Sequence, residues 1–579
     1  MTLDQSAKWV TAGRMGQYLG GKYSTLDADV IMLVGVNPAL SHGTTAMPVA
    51  NPRKWIREAQ EAGMTLIVVD PRETETAKMA DIHVCSRPGE DAALFAGLIH
   101  IVLERGLHDR AFCDRFSGPL DALQAAVAEF DPEYVAARTG IAVDILLQIA
   151  TVFATAARKS VYSGTGPDMA SDSNLAEHFI EAFNAVCGGY RRAGEKVWNT
   201  GGLYGNLPTA AAVLPPTRSW EHGPKCKTVD VGPIGGEYPT SLLPAEISGT
   251  GQHRIRALIV AGGDLARALP DPQRTLVALD ALDLLITIDP RPTDTGACAH
   301  YQIATSLPYE RHDVTGAIEI YFAHTFARVA TPLVERPPGI IDDWQFFWGL
   351  ARRMGTPMVL KQAMFGVPHD EIPGETLELD PAEQTSTQDI VRWMSGLGDL
   401  SYEELLANPR GIARDRGSVL VAVPDDGNRL DLCPDDVAAE LAEFRRRDLS
   451  NDEFPMRLLS RRMSGVLNSA FRRAAKTTSR TPWNPAYMSP QDMEALGLQD
   501  ASPIIIESEA GSINARARAD DTMPPGMVSM SHAWGALSGD DPTEAGAFTG
   551  RLISIVDNRQ TINYMPRQSA IPIRIKPLA

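Results

Sequence analysis

The sequence is short of several features, and each shortage closes off a class of function. Cysteine is scarce: 6 in 579 residues, at Cys85, Cys113, Cys187, Cys226, Cys298 and Cys433. No two of them stand at a C-x-x-C spacing, which argues against a zinc ribbon or a cysteine-ligated iron–sulfur cluster built from one local motif. The density is also too low for a disulfide scaffold and fits a reducing compartment, so the cytoplasm is the expected location. Positive charge is in deficit, with 54 basic against 72 acidic residues and a formal net charge of −18. The average surface therefore repels phosphate backbones and anionic lipid, and no nucleic-acid partner is expected; a local basic pocket for a small phosphorylated ligand is compatible with that mean field. Long apolar runs are lacking as well. Residues 30–52 carry no Asp, Glu, Lys or Arg, but Asn37-Pro38, Ser41-His42-Gly43 and Asn51-Pro52 interrupt them, so no membrane insertion is expected. The start, MTLDQSAKWVTAGRMG, has no basic region followed by an apolar stretch, and no signal peptide is expected.

What the chain does have is enough apolar material, 44% of residues, to bury several cores. At about 150 residues per domain its length predicts roughly four domains. From residue 29 to 160, short apolar runs alternate with amphipathic stretches, the pattern of βαβ units on a parallel sheet. DVIMLVG (29–35) and MTLIVVD (64–70) read as strands around a helix RKWIREAQEAG that stops on Gly63. A core-facing helix follows Pro88-Gly89-Glu90-Asp91 and ends near Gly106, and KSVYSG (159–164) leads through Gly164-Thr165-Gly166 into the helix 174–186. Residues 199–252, rich in Gly, Pro and Thr, read as a long irregular segment, and such segments usually have a functional reason. A second α/β unit follows, with strands 256–263 and 283–289 around a helix at 272–282. Residues 338–450 read as mixed and mostly helical. After about residue 454 come short strands, with a helix capped by Ser489-Pro490 and a pair PIIIESE and SINARARA joined at Ala510-Gly511, which predicts a β-barrel or sandwich.

The two α/β units repeat one another. DPRETET (70–76) follows the second strand of one and DPRPTDT (289–295) that of the other, and each first strand ends in a small-residue loop, Gly35-Val36-Asn37-Pro38 or Gly262-Gly263-Asp264. Glycines at a strand-to-helix turn let backbone approach a phosphate, and an Asp closing the next strand can accept from a ribose hydroxyl or a purine ring. The Arg two residues on can reach a phosphate, and the threonines offer hydroxyls. The plainer reading is of tight turns, caps and solvated side chains. For one unit the plainer reading is preferred; two in register favour two nucleotide-like ligands, or one ligand with two nucleotide ends. Two near-misses are set aside. Gly16-Gln17-Tyr18-Leu19-Gly20-Gly21-Lys22 has phosphate-loop spacing, but Tyr23 replaces the needed hydroxyl and no strand precedes it. Gly164-Thr165-Gly166 begins like a dinucleotide fingerprint, yet Met169 fills the third glycine position. No G-x-S-x-G stands in a strand-turn-helix context to anchor a serine triad.

VGVNPALSH (34–42), DPRETETAKMADIHVCSRPGEDAALF (70–95), LIVAGGDLARALPD (258–271), IDPRPTDTGACAHYQIATSLPYERHD (288–313), LLSRRMSGVLNSAF (458–471) and VSMSHAWG (528–535) together resemble the molybdopterin oxidoreductases of the dimethyl sulfoxide reductase and formate dehydrogenase type. The resemblance implies an α/β fold of two pseudo-repeated parallel-sheet domains with a C-terminal double-psi β-barrel, divided as 1–225, 226–335, a connecting region 336–450, and a cofactor-capping barrel 451–579. It implies two molybdopterin guanine dinucleotides around one molybdenum or tungsten, a small-molecule substrate, and two-electron oxidation or reduction. Gly35, Asn37, Asp70, Arg72, Gly89 and Asp91 match one dinucleotide site, and Gly262, Gly263, Asp289 and Thr295 the other. Gly164, Thr165, Gly166 and Met169 match the loop near the pterins, and Arg461, Arg462, Asn468, Ser469, His532, Trp534 and Asn558 fall in stretches that close over them. Family members also carry a [4Fe–4S] segment, then a metal ligand roughly thirty to forty residues before the G-x-N-P loop. Counting back from Gly35 reaches Met1 or beyond, so these elements are expected on a missing segment or on an iron–sulfur electron-transfer partner subunit. No metal ligand or acid–base residue is assigned on this chain, and Cys85, at the end of DIHVC, reads as a buried structural thiol. Asp264, where Asn is usual, and His300, where Asp is usual, are departures. The alternatives are a non-catalytic cofactor-binding or assembly protein and, more weakly, a nicotinamide dehydrogenase.

Overall fold

A computed structural model describes residues 3–42, 44–199, 210–249, 253–361, 375–380, 382, 385–397, 400–414, 417–447, 452–539 and 545–578. In the first α/β unit, helix α1 (Ser6–Met15) precedes β1 (Val30–Val34), α2 (Pro52–Glu61), β2 (Thr65–Val69), β3 (Ile82–Val84), α3 (Asp91–Glu104), β4 (Lys159–Ser163), α4 (Thr165–Met169) and α5 (Ser173–Val186). The strands form one parallel sheet in the order β3-β2-β1-β4, registered Val30↔Thr65 through Val34↔Val69. Every residue of β1 is buried, because a parallel sheet is covered on both faces. Ile31, Leu33, Leu66 and Val68 join Ile56 in one core. Met32, Val34, Ile67 and Val69 join Leu94, Leu98, Phe179 and Phe183 in the other.

The second unit repeats this on a smaller scale: β5 (Ala257–Ala261), α6 (Leu265–Ala268), α7 (Pro272–Asp280), β6 (Leu284–Ile288), α8 (Asp294–Ala297) and β7 (Tyr301–Ile303), with a parallel sheet β7-β6-β5. Even the helix starts match. Asn51 and Asp271 both take left-handed backbone, φ 57° and 53°, each caps its helix by accepting an N–H three residues on, and each is followed by proline. In the connecting region lie helices Asp343–Met354, Thr387–Gly396, Tyr402–Ala407 and Asp435–Arg446. The last unit is a closed six-stranded barrel of β8 (Met456–Ser460), β9 (Ala486–Met488), β10 (Pro503–Ser508), β11 (Gly511–Ala519), β12 (Met527–Met530) and β13 (Ile571–Pro577), in the order β8-β12-β9-β11-β10-β13. Leu458, Ile504, Ile506, Val528 and Ile573 fill it, and Ser489 caps the short helix Pro490–Ala495 as its sequence predicts. The choice left open between barrel and sandwich is thus settled as a barrel.

Two expectations are corrected. Cys85 is exposed, not buried: β3 is an edge strand that ends one residue earlier, and the Cys85 thiol donates to the Pro71 carbonyl at 3.3 Å. The segment 199–252 is less irregular than its composition suggests. Within it Val213–Leu214 pairs with Gln17–Tyr18, and Leu243–Ser248 is helical; residues 200–209 and 250–252 lie outside the described residues.

Candidate functional site

The repeated motif has a repeated set of hydrogen bonds. Gly35 N–H donates to Val69 O at 2.9 Å, and Gly262 N–H to Ile288 O at 2.8 Å. Asp70 and Asp289 each accept the N–H two residues on, from Arg72 and Arg291, both at 3.0 Å. Thr76 donates to Asn37 Oδ1 at 2.7 Å and accepts Ala39 N–H at 3.1 Å; Thr295 donates to Asp264 Oδ1 at 2.8 Å and accepts Ala266 N–H at 2.9 Å. The last threonine of each motif therefore stitches the loop after the second strand to the loop after the first. Asp264 does with Oδ1 what Asn37 does. His300 likewise replaces an acid without loss, since its Nδ1 accepts Leu285 N–H at 2.9 Å where Asp81 accepts Leu66 N–H at 2.7 Å. Both departures keep the acceptor that the turn requires. Thr76 and Thr295 are fully buried, so Thr76→Val or Thr295→Val strands an N–H and an acceptor and is expected to cost about 1–3 kcal/mol. A lowered urea midpoint checks this, and an unchanged one contradicts the stitch.

The first unit, the second unit and the barrel enclose a cavity of about 1400 Å³. Gly35, Asn37, Asp70, Arg72, Gly164, Thr165, Gly166, Met169, Arg461, Arg462, Asn468, Ser469 and His532 line it. Gly89, Asp91, Gly262, Gly263, Asp289, Thr295, Trp534 and Asn558 do not appear among its lining residues. Their surroundings explain several of these. Thr295 is used up in the stitch, Trp534 is buried at 2% exposure, and Asn558 is exposed and donates to Glu509 at 3.4 Å. Gly89 packs against Ser171, and Asp91 lies in the first turn of α3. The second unit instead reaches the cavity through Leu265, Arg267, Ala268, Leu269 and Pro270.

Glycine plays a different part in each unit. A Cβ on Gly35, where φ is +57°, would stand 2.6 Å from Pro167, and one on Gly164 2.5 Å from the Gly35 carbonyl. In the first unit these glycines let two loops pack on each other. Around Gly262, at φ +63°, a Cβ would meet nothing within 4 Å, so that loop stays open to a ligand.

The lining is rich in cations. Arg72 faces Arg461, whose like charge, after burial, lowers the Arg72 pKa. Arg461 pairs with Asp520 at 2.6 Å and lies over the Tyr487 ring at 3.8 Å. Arg267 pairs with Asp294 at 2.7 Å, and Arg462 donates to Asn468. Burial and Arg462 hold His532 down to about 4, so it is neutral at pH 7. Burial pushes Asp70 up to about 6. The donor set suits a large anion, with the guanidiniums of Arg72 and Arg461 held near one another.

Several lining residues carry no motif that sequence reading detects: Lys8, Thr11, Glu177, Glu181 and Tyr190. The rejected phosphate-loop look-alike does reach the wall, through Gly16, Gln17, Tyr18, Gly21 and Lys22, but Lys22 is paired with Glu181 at 2.5 Å. The one sign in the sequence is Glu177 and Glu181, four apart on one face of a helix rich in apolar residues.

Two like α/β units and a barrel meet on one large cavity whose lining carries several guanidiniums. The Molybdopterin oxidoreductase family matches residues 6–353 and the Molydopterin dinucleotide binding domain residues 456–572, and the chain belongs to the molybdopterin oxidoreductase family, a family of enzymes. It is 24% identical to formate dehydrogenase H of Escherichia coli over 573 residues, covering 96% of this chain and 73% of that protein. It is 23% identical to F420-dependent formate dehydrogenase 1 subunit alpha of Methanococcus maripaludis, covering 87% and 71%. In fold it is similar to acetylene hydratase from Pelobacter acetylenicus, with a TM-score of 0.72 and 19% identity over 99% of this chain and 81% of that one. Among the described residues no single helix is long and apolar enough to cross a membrane.

Proposed function

We propose that the chain is the catalytic body of a molybdenum or tungsten bis(molybdopterin guanine dinucleotide) oxidoreductase, similar in task to the formate dehydrogenases, acting in the cytoplasm with an iron–sulfur partner that carries electrons. The observation that carries this reading is the cavity itself, with the glycine-rich turns of the first unit, the α6 segment of the second and the barrel cations Arg461 and Arg462 meeting on one space. When bound, such a cofactor supplies a dithiolene-held metal competent for two-electron chemistry. The chain's own part is to neutralise phosphates with Arg72, Arg461, Arg462 and Arg267, to present neutral His532 and to hold the two loops of each unit together through its threonine stitch. Gly89, Asp91, Gly262, Gly263, Asp289, Trp534 and Asn558 stay within the proposal as positions at which the dinucleotide arms would extend beyond this cavity.

The test is pterin fluorescence after oxidation, with metal analysis on the same protein, purified from a host that makes the cofactor and beside its natural companions. Two pterins for each metal are expected; no pterin overturns the reading. None of the six cysteines lines the cavity, which favours a second reading, a cofactor-binding or assembly protein. That reading predicts pterin without metal.

A further inference from the structure

Behind the glycine loop lies a charged layer that cofactor binding does not use. Helix α1 carries Lys8 against α4 and α5, where its ammonium donates to the Gly164 carbonyl at 3.1 Å, to Asp168 and to Glu177 Oε1 at 3.3 Å. The other oxygen of Glu177 accepts the Ser163 hydroxyl at 2.7 Å. The Asp168 side chain is fully buried and that of Glu177 nearly so, at 4% exposure. Asp168 Oδ1 is buried with no hydrogen-bond partner. Lys8, Ser163 and Glu177 line the cavity, and Asp168 stands behind them.

The charge count does not close. One ammonium serves two carboxylates in a desolvated site, and Asp91 at the start of α3 adds a third group of the same sign, close enough to Glu177 to be pushed up by it. The neighbouring pair offers no relief: Glu181, one turn further along α5, is taken by Lys22 and by the Tyr190 hydroxyl. Two like charges in such a place cost several kcal/mol unless one is neutralised, and an orphaned carboxylate oxygen is costly on its own account. One proton removes the first penalty, because a carboxylic acid carries no charge to repel its neighbour, and lessens the second, because an uncharged carboxyl oxygen costs less to bury unpartnered than a charged one.

We propose that Asp168 and Glu177, bridged by Lys8, hold one shared proton at neutral pH, and that Glu177 is the chain's own proton acceptor and donor toward a substrate in the cavity. The identity of that substrate rests on the oxidoreductase reading above; the shared proton does not. For a substrate oxidised at a C–H bond, the bound cofactor would be the acceptor of that bond's electron pair, and the proton released would form its new bond to Glu177. Lys8 and Ser163 stay in place as the donors that orient the carboxylate, so Lys8 is a positioning residue.

Infrared spectra of the purified full chain at about pH 8, in an Asp91→Asn background, test the first half, since Asp91, otherwise pushed up to about 7, is then removed and Glu90, pushed up to about 7, is mostly ionised at that pH. The carbonyl band of a protonated carboxylic acid is expected. Asp168→Asn and Glu177→Gln are each expected to abolish it, because either leaves a single carboxylate opposite Lys8, and Glu181→Gln to preserve it. A folded protein without the band overturns the proposal whatever the variants do. In cofactor-loaded protein, Glu177→Gln is expected to lower kcat about a hundredfold with pterin content unchanged. An unaltered kcat refutes the role of Glu177. Loss of pterin from wild-type protein refutes the cofactor reading instead, and the infrared result stands apart from it.

Discussion

Arg72→Glu is expected to strip the cofactor from the purified protein while leaving the fold intact. Arg72 is the third residue of the first-unit motif, and its guanidinium is half-buried beside Arg461, with Asp70 and Glu75 also near it. Two cations are tolerated there because anions meet them: Asp520 binds Arg461 on one side, and on the present reading a phosphate binds both on the other. A charge-assisted hydrogen bond contributes about 1.5–3 kcal/mol, and reversing the charge adds repulsion, for a total on the order of 5 kcal/mol. That is roughly a thousandfold or more in affinity. Pterin released per mole of protein reads the effect, with a melting curve as the control for folding. Should Arg72→Glu retain its pterin, the anion lies elsewhere in the cavity and Arg72 is a turn residue only.

The architecture was legible for a definite reason. Strands of a doubly covered parallel sheet are apolar on both faces, so VIMLV and TLIVV stand out as runs, and the left-handed Asn51-Pro52 and Asp271-Pro272 mark where helices begin. The repeated DPR and threonine spacing was also visible, but its main use was not. Asp70, Asp289, Thr76 and Thr295 hold the turns together, and a conformational need leaves the same sequence mark as a ligand-binding one. This is why Thr295 counts as a structural residue, whereas Arg72, whose guanidinium the turn does not require, reaches the cavity. The wall contributed by Lys8 was hidden for the opposite reason. A single lysine on a short amphipathic helix signals solvent until the helix is docked, and the docking of α1 on α5 depends on contacts more than 150 residues apart in sequence. Glu177 and Glu181 were different, since two carboxylates on one face of a helix as apolar as NLAEHFIEAFNAV imply buried charge with partners.

Acid is expected to destabilise the wall that carries those carboxylates, through His178. This residue lies between them in sequence on α5, fully buried, with Nε2–H donating to the Leu432 carbonyl at 2.9 Å and Nδ1 unpartnered. Burial, helped by Arg14, holds its pKa down to about 4 from an ordinary 6.5. The folded state therefore takes up its proton later than the unfolded chain. Stability from neutral His178 is fully present above pH 6.5 and is lost as pH falls from there toward 4, by about 3 kcal/mol over the interval. Asp70, Glu90 and Asp91 act in the opposite sense, because burial raises them to about 6, 7 and 7, and their protonation favours the folded state as pH falls. His532 acts in the same sense as His178. The raw pH profile is thus a sum of opposing terms, and a variant is needed to isolate one. His178→Gln keeps an N–H for Leu432 and does not titrate. Urea unfolding of both proteins in steps between about pH 7.5 and 4 is expected to give nearly equal stabilities at the upper end and a gap opening to about 3 kcal/mol at the lower, with wild type the weaker. Parallel curves would mean that His178 finds a partner for its second proton, such as a water at Nδ1. Because Leu432 belongs to the connecting region and α5 to the first unit, the same bond anchors the helix bearing Glu177 and Glu181. His178→Gln should therefore hold that wall of the cavity in place under acid conditions in which the wild-type helix comes free.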